Sequence, residues 1–341
     1  MTDVQTRLRA LGPDDVKTFV SWLKRDTDAL EHSNPLHMEG IARLVKATTL
    51  RGMVIEYRLN QAEPWTIGAM GGSVFLVDEV ANDLERKPMP WAFPRLLAAE
   101  IKQPGSALLP VAQVAQRNRA GGLDLLLHYM QGSWDFTDPI WRAVATRAHD
   151  GFIGDHRGYR LRRAFQEGVI RKPDIYETTG YRRLAAFDMA ESGAHGAKRK
   201  KPAEAKGRAL YFADSAYVQS LAPGTSICKM FHHREPKCGF TRTAQAILVA
   251  AGRGLTDEAI MAELELSRDT VRRAWRHVFE RIDEIVPHVL AHVNEGAGRR
   301  RGKEKRRPVL AYLAEHPEEL RPYEEPKTGR HATGTRPGKA R

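Results

Sequence analysis

The sequence predicts an α+β N-terminal regulatory domain joined by a flexible linker to an all-α helix-turn-helix domain. Three observations support this organisation. Residues 14–190 mix apolar patterns of helical and of strand period. Residues 191–207 consist mainly of Gly, Ala, Lys and Glu without large apolar side chains, so they cannot bury a face. Residues 240–282 contain three short helical patterns, the third of them rich in arginine.

These patterns divide the chain into six segments. They are an α+β sensor or regulatory domain (1–190), a basic flexible linker (191–209), a connecting segment (210–239), a helix-turn-helix domain (240–295), a basic run with a short helix (296–323) and a disordered tail (324–341). A chain of 341 residues with 42% hydrophobic content is long enough for two separate cores.

Composition also bears on the location of the protein. The chain has only two cysteines, which argues against a disulfide framework and for a reducing compartment. Its first residues have no apolar core of the signal-peptide type, and no stretch approaches the length of a membrane span. We therefore expect a cytoplasmic protein without a membrane partner.

The N-terminal domain contains both kinds of apolar pattern. Helical patterns cover residues 15–30, 39–48, 93–101 and 140–165. Strand patterns cover residues 53–59, 73–77, 108–115, 123–130 and 182–187. This mixture predicts a sensor-sized α+β domain that responds to an unknown small-molecule or protein effector.

The end of this domain carries a faint family resemblance. Residues 174–184, DIYETTGYRRL, are similar to the "LYEKLGFRR" close of GNAT-fold acyltransferases. The resemblance implies that Tyr176 serves as a general acid. The family's R/Q-x-x-G-x-G/A loop, which cradles the pyrophosphate of coenzyme A, is not matched by residues 116–122, QRNRAGG. The sequence therefore predicts no catalytic residue and no cofactor, with a GNAT-like acyltransferase as the alternative.

Two other groups of residues allow more than one interpretation. A ligand pocket could be lined by Trp134, Asp138, Trp141, His156, Arg157 and Tyr159, although an amphipathic helix over residues 156–163 is the preferred interpretation. Cys228, His232, His233 and Cys238 could bind zinc, but their spacing lacks the C-x-x-C or H-x-x-x-H pairs of tight zinc sites. A loop without metal is the simpler expectation.

Capping residues delimit the three predicted helices of residues 240–282. Thr241, Thr256 and Ser267 each stand where an N-cap is needed, and Gly252 and Gly254 mark the end of the first helix. The third helix carries apolar residues at helical spacing, namely Val271, Trp275, Val278, Phe279 and Ile282. Its other face is basic, as entry into a DNA major groove requires.

This segment resembles the LuxR/FixJ-type (GerE) DNA-binding domain. The resemblance runs without a gap from Phe240 to Ile282, on the frame Gly254, Leu255, Thr256, Ile260, Leu264, Leu266, Ser267, Thr270, Val271, Val278 and Ile282. The sequence departs from the family at Arg242, where Pro is usual, and at Ala259, where the family has Glu. The resemblance implies that Arg272, Arg273 and Arg276 face double-stranded DNA. The full set of expected DNA-binding residues is Ser267, Arg268, Thr270, Arg272, Arg273, Arg276 and His277.

A second apolar stripe continues beyond the third helix. Ile282, Ile285, Val286, Val289 and Leu290 follow helical spacing, and in LuxR-type regulators a helix in this place forms the dimer contact. Pro287 would end or kink such a helix. A homodimer and a stripe that packs back on its own domain both remain open.

The positive charge of the chain lies mostly in its C-terminal part. The net charge is +12, and residues 200–341 carry 27 Lys and Arg against 18 Asp and Glu. A basic run is expected to contact phosphates, although such runs are more often only solvated. Its members are Arg299, Arg300, Arg301, Lys303, Lys305, Arg306 and Arg307.

Together these patterns predict a bacterial, nucleoid-associated transcription regulator that binds DNA in a sequence-specific way and is not an enzyme. No metal and no cofactor are expected. Two alternatives remain open: a GNAT-like acyltransferase fused to a DNA-binding module, and a scaffold that uses the three helices to bind protein.

Overall fold

The structure, a computed structural model, describes residues 4–26, 37–170, 174–187, 207–291 and 302–324. A seven-stranded mixed sheet lies at its centre, with strand order β1-β2-β3-β4-β5-β7-β6. The strands are β1 (Gln5–Ala10), β2 (Arg51–Arg58), β3 (Thr66–Leu76), β4 (Leu123–Gln131), β5 (Leu161–Val169), β6 (Arg182–Phe187) and β7 (Arg208–Asp214).

The helices of the N-terminal part are α1 (Val16–Asp26), α2 (Met38–Lys46), α3 (Asp78–Arg86), α4 (Ala92–Lys102), α5 (Val111–Ala120), α6 (Pro139–His156) and α7 (Ile175–Thr178). After the last strand follow α8 (Ser215–Gln219), α9 (Ser226–Phe231), α10 (Arg242–Gly252), α11 (Asp257–Leu264), α12 (Arg268–Ile285) and α13 (Gly302–Glu315).

Neighbouring strands pair antiparallel except for β4 and β5, which are parallel. A parallel pair needs a crossover connection, and α6 supplies it. Helices cover both faces of the sheet. One face packs against α1 to α4, and the other packs against α5, α6, α8 and α9. The α+β fold predicted for this part of the chain is therefore confirmed.

Strand β7 was not predicted. Residues 208 and 209 were assigned to the linker and residues 210–214 to a connecting segment, whereas they form a strand between β5 and β6. The strand is buried on both faces, so its sequence ALYFA is a short continuous apolar run rather than an alternating one. Such a run has no alternation of apolar and polar residues, so its sequence does not distinguish a strand from a buried helix. The rest of the predicted linker, residues 191–206, lies outside the described residues.

Two other predicted elements were wrong. Residues 108–115 were expected to form a strand, but Pro110 begins helix α5 and only Leu108 makes an isolated bridge, to Leu76. The helix expected over residues 140–165 ends at His156 because Gly158 adopts a φ of +85°, which turns the chain into β5. The amphipathic helix proposed for residues 156–163 is thus a turn followed by a strand.

Helices α10, α11 and α12 occupy the three places that the sequence predicted. Each begins at a side-chain cap, from Thr241, Thr256 and Ser267 respectively. They share a separate hydrophobic core with α13, which begins within the basic run instead of after it. Three helices alone do not establish a helix-turn-helix of the LuxR type, and that assignment stays a prediction.

The second apolar stripe packs back on this helical core. Helix α12 ends at Ile285, and Pro287 begins a short 3-10 turn. Ile282, Val286 and Leu290 are buried within the core, while Ile285 is 36% exposed. Of the two open alternatives, the structure therefore favours packing within the chain.

The helical part also contacts the sheet domain directly. Arg321 donates hydrogen bonds to the carbonyl oxygens of Arg157 and Gly154, at 2.8 Å and 2.7 Å. The Asn118 amide donates to the carbonyl oxygen of Pro322 at 2.9 Å. The residues after α13 thus connect the C-terminal helices to α5 and α6 by hydrogen bonds. Among the described helices, none has the length and apolar character to cross a membrane.

Candidate active site

The parallel strands β4 and β5 separate towards their C-terminal ends. Their register runs from Leu123 and Leu161 to His128 and Glu167. Beyond that point β4 continues to Gln131 beside β3, and β5 continues to Val169 beside β7. Ligands of open α/β sheets bind where neighbouring strands diverge, because the gap lets side chains and backbone reach the ligand from both sides.

A cavity of about 360 Å³ lies at this divergence. Leu127 and Tyr129 of β4 form one wall, α6 forms the second, and Ile227 and Met230 of α9 form the third. The wall is mainly apolar. Its polar side chains are Arg142, Thr146, His149, Gln166, Tyr176, Thr179, Tyr181 and Ser226.

Tyr176 lines the cavity from the short helix α7. Asp174 caps this helix by accepting hydrogen bonds from the backbone N–H groups of Tyr176 and Glu177, at 3.1 Å and 3.4 Å. The ring of Tyr176 packs on the ring of Tyr211 with centroids 4.7 Å apart. The position of the Tyr176 ring is therefore set by a helix cap and by a neighbouring strand.

Gly168 of β5 makes room for the Tyr176 ring. A Cβ atom at residue 168 would lie 2.1 Å from Cε2 of Tyr176 and 2.8 Å from its hydroxyl oxygen. Contacts this short do not occur in proteins, so any larger residue at this position would displace the tyrosine. A glycine in the middle of a strand often marks such a close approach.

The charges around the cavity are few. Burial lowers the pKa of His149, and Lys229 lowers it further although Asp150 raises it, so this imidazole is neutral at pH 7. Burial also raises the pKa of Tyr181, and Tyr176 adds to this rise. None of the residues that line the cavity is an Asp or Glu. The cavity is therefore suited to a neutral group.

The loop after β4 does not fit the pyrophosphate of coenzyme A. Helix α6 begins with Pro139, which has no N–H, and the Asp138 carboxylate accepts the N–H of Ile140 at 2.8 Å. The hydroxyl and the N–H of Thr137 lower the pKa of the nearby Asp135, so a second negative charge stands at this helix end. Two carboxylates repel a pyrophosphate where a helix N-terminus would otherwise bind one.

Arg142 does not compensate for these carboxylates. Its guanidinium donates to the carbonyl oxygen of Phe136 from Nε at 3.1 Å and from Nη2 at 3.0 Å. It therefore closes the loop between β4 and α6. Residues 116–122, which the sequence analysis compared with the phosphate loop, instead lie at the end of α5 and in the turn before β4.

No family model matches the chain, and no curated protein matches it. Solved structures do align with about two thirds of it. A mutant form of the spermidine/spermine N-acetyltransferase SpeG from Vibrio cholerae is 10% identical, with 64% of this chain and 100% of that chain covered and a TM-score of 0.31. FeeM, an N-acyl amino acid synthase from uncultured soil microbes, is 8% identical, with coverages of 67% and 99% and a TM-score of 0.31. An aminoglycoside acetyltransferase in complex with coenzyme A and kanamycin is 10% identical, with coverages of 63% and 98% and a TM-score of 0.30.

All three are enzymes that handle acyl groups. The expectations of a chain that is not an enzyme and that regulates transcription are corrected by these neighbours, which are acyltransferases and an N-acyl synthase. They do not bear on DNA binding by the C-terminal helices, which stays a prediction. At 8–10% identity and TM-scores near 0.3, these structures assign neither a substrate nor a role to any residue of this chain.

The residues expected to contact DNA lie together at the start of α12. Arg268, Arg272, Arg273, Arg276 and His277 are exposed, and Thr270 is half-buried. The hydroxyl of Ser267 is used as a cap, since it accepts the N–H of Thr270 at 3.2 Å. The exposed arginines share one helix face, and their role in binding stays a prediction.

The basic run is less uniform than its sequence. Arg299 to Arg301 lie outside the described residues, and the side chain of Lys303 is not described. Lys305 is half-buried, and Arg307 is exposed. Arg306 turns inward, where both of its terminal nitrogens donate to the Asp257 carboxylate at 2.8 Å and its guanidinium lies 4.4 Å from the ring centroid of Trp275. The Arg306 side chain thus joins α13 to α11 and α12 rather than extending towards a phosphate.

The residues proposed for zinc are separated. Cys228 belongs to the core beneath the sheet, and Cys238 is buried in the core of the C-terminal helices. His233 pairs with the carbonyl oxygen of Gly158 at 3.1 Å. The described part of the chain contains no group of three or more His, Cys, Asp or Glu side chains arranged for a metal.

The sequence pointed to Tyr176 but not to the rest of the cavity. Its other walls come from α6 and α9, whose apolar residues have the ordinary spacing of core helices. Besides Tyr176, the one signal for the site was Gly168, a glycine near the end of β5. Such a glycine marks a close approach without saying what approaches.

Proposed function

We propose that the chain is a GNAT-like acyltransferase that moves an acyl group from a thioester to a primary amine in the cavity between β4, β5 and α6. One observation carries the proposal: Tyr176, the expected general acid, lines an apolar cavity where the two parallel strands diverge. Tyr176 is the expected proton donor, and a proton donor beside the reacting thioester speeds the departure of the leaving group.

The reaction balances with one general acid. The amine nitrogen attacks the carbonyl carbon of the thioester, the new C–N bond forms and the C–S bond breaks. The Tyr176 hydroxyl gives its proton to the departing sulfur. The proton lost by the amine restores the phenol, so the products are an amide and a free thiol.

The contacts of Tyr176 support its positioning for this step. Its ring packs on the Tyr211 ring and lies against Gly168, so its hydroxyl is buried close to β5. The acyl donor is a simple thioester because the loop between β4 and α6 does not fit a pyrophosphate. We therefore expect the thiol that carries the acyl group to be smaller than a nucleotide or to differ from one in charge.

Thiol release tests this function. The full chain is mixed with acyl thioesters of N-acetylcysteamine, which have no nucleotide, and with a panel of amines comprising a polyamine, an aminoglycoside and amino acids. We expect amine-dependent thiol release, and we expect Tyr176→Phe to slow it by about 10²–10⁴-fold, the usual contribution of a general acid. Tyr217→Phe is the matched control, because Tyr217 lies on α8 and does not line the cavity.

Two outcomes would contradict the proposal. One is the same rate of thiol release with and without every amine of the panel. The other is an unchanged rate in the Tyr176→Phe variant, which would remove Tyr176 from the reaction.

A further inference from the structure

We infer that the cavity binds the acyl chain of the donor, and that this chain is of medium length, roughly eight to twelve carbons. The inference rests on the proposed function and names its substrate class. It depends on the lining and the volume of the cavity and on the small side chains in one of its walls.

The lining disfavours a cationic occupant. No carboxylate faces the cavity, and a polyamine or any other multiply charged amine buried there would have no anionic partner. Several polar groups in the wall have partners in the protein. The Gln166 amide donates to the carbonyl oxygen of Glu167 at 3.0 Å, and Arg142 binds the carbonyl oxygen of Phe136.

The volume exceeds what an acetyl group would fill. One water molecule takes about 30 Å³ of liquid, so a cavity of about 360 Å³ has room for roughly a dozen atoms of that size. An acetyl group would leave most of this space to water against apolar walls, which is unfavourable. A medium-length alkyl chain would fill it.

The side walls set the length of the chain. Ile227 and Met230 are 2% and 3% exposed and join α9 to the core beneath the sheet. On the opposite side, α6 presents the small residues Ala145 and Ala148. Small side chains on a helix that borders a cavity leave the room that an extended chain needs, so a larger residue at position 145 should shorten the chain that fits.

Binding can be separated from turnover with the Tyr176→Phe variant of the full chain. Thioesters of N-acetylcysteamine with two to twelve acyl carbons are titrated into it by calorimetry. Each methylene that enters an apolar cavity should tighten the dissociation constant about fourfold, until the cavity is full. We expect the affinity to rise up to octanoyl and to level off by dodecanoyl.

Ala145→Leu should move this plateau to shorter chains by two or more carbons. Ala143→Leu lies on the same helix but does not line the cavity, and it should leave the plateau unchanged. Circular dichroism of both variants shows whether α6 is intact.

The outcomes separate the inference from the proposed function. Equal affinity for acetyl and octanoyl thioesters would overturn the inference and leave acyl transfer to its own test. A plateau in Ala145→Leu at the parent's chain length would overturn it as well. If the affinity depends on chain length but the protein transfers no acyl group to any amine, the inference of an acyl-binding cavity is supported and the proposed transferase function is overturned.

Discussion

Asp124 shows how much of the sheet's stability depends on single buried charges. Its carboxylate is 1% exposed and accepts hydrogen bonds from Arg163 at 2.8 Å and 2.9 Å and from Arg162 at 3.0 Å. Burial alone would raise its pKa, but the hydrogen bonds from the two arginines hold the pKa of Asp124 below its ordinary value. The carboxylate is therefore charged and fully partnered, and its removal leaves a buried guanidinium without its main acceptor.

We expect Asp124→Asn to lower the free energy of unfolding by about 3 kcal/mol, the low end of the range for breaking a buried pair, since Arg163 keeps Glu85 at 2.8 Å. Urea denaturation followed by circular dichroism measures this. Asp83→Asn is the matched control, because the Asp83–Arg86 pair is 67% and 72% exposed and should contribute less than about 1 kcal/mol. Equal effects of the two substitutions would show that burial of Asp124 has little energetic weight.

At the scale of residues, the sequence predicted the role of those that belong to a recognisable local pattern. It did not predict the role of those whose partners are distant in the sequence. Tyr176 follows a capping Asp and precedes a Thr-Thr-Gly turn, so its segment could be recognised. The pair of His128 and Glu167 could not be recognised, because the two residues stand 39 positions apart and meet only through the parallel register of β4 and β5. Arg306 was misplaced for a related reason: its partners Asp257 and Trp275 belong to other helices.

At the scale of elements, the turn between α6 and β5 holds the C-terminal segment against the sheet domain. Gly158 has a φ of +85°, and a Cβ atom there would lie 2.4 Å from the backbone nitrogen of Glu318. Both its own conformation and the close approach of residues 317–318 therefore require glycine. The neighbouring carbonyls of Gly154 and Arg157 bind Arg321, so the whole contact depends on this turn.

We expect Gly158→Ala to loosen this contact and to lower the free energy of unfolding by about 1–3 kcal/mol, the cost of a strained backbone position. Limited proteolysis should show faster cleavage within residues 302–324. Gly154→Ala is the control: it lies in α6 with nothing within 4 Å of its Cβ position, and alanine should be neutral or stabilise the helix by up to about 1 kcal/mol. Slow cleavage in Gly158→Ala, equal to that of the parent, would contradict the role assigned to the turn.

The elements that were predicted correctly are those with a clear period or cap. Strand β6 has the bounds that alternation predicted, and α10 to α12 begin at their Thr and Ser caps. Strands β1, β5 and β7 were missed. The sequence of β1, QTRLRA, has a single large apolar residue, β5 was assigned in part to the preceding helix, and β7 is a buried apolar run. Helix α5 was taken for a strand because its apolar residues follow Leu108 and Leu109 without a break, and only Pro110 marks the boundary.

At the scale of the whole molecule, the function predicted from the sequence was based on the segment with the clearest pattern. Residues 240–282 have strong caps and a basic helix, whereas the sheet domain has only one short recognisable segment. The cavity is built from β4, β5, α6, α7 and α9, which are spread over more than a hundred residues. A site of this kind has no local sequence pattern, because it exists only once the sheet has formed.

Two histidines buried in the sheet domain should make the stability of the whole molecule depend on pH. His128 is 0% exposed and His156 is 1% exposed. Burial lowers the pKa of His128 to about 4, with Arg208 adding to the effect and Glu167 opposing it. Burial lowers the pKa of His156 to about 3, where Arg51 and Arg321 add to the effect and a hydrogen bond to the Phe152 carbonyl opposes it. Both imidazoles are therefore neutral in the folded protein near pH 7.

In the unfolded chain both histidines should titrate at their ordinary value of about 6.5, so between that pH and about 4 the unfolded chain binds more protons than the folded one. The stabilisation is complete above about pH 6.5 and is lost as the pH falls, at up to about 1.4 kcal/mol per pH unit for each histidine. We expect the free energy of unfolding to drop by about 2 kcal/mol between pH 6 and pH 5, a range above the ordinary pKa of carboxylates.

Urea denaturation at several pH values measures the slope of the free energy of unfolding against pH. His156→Gln should reduce it by up to about 1.4 kcal/mol per pH unit, while His277→Gln, an exposed change on α12, should leave it as in the parent. A slope in His156→Gln equal to that of the parent would mean that His156 takes up its proton in the folded protein as readily as in the unfolded chain, so that its surroundings in the sheet are open to water or rearrange to receive the charge.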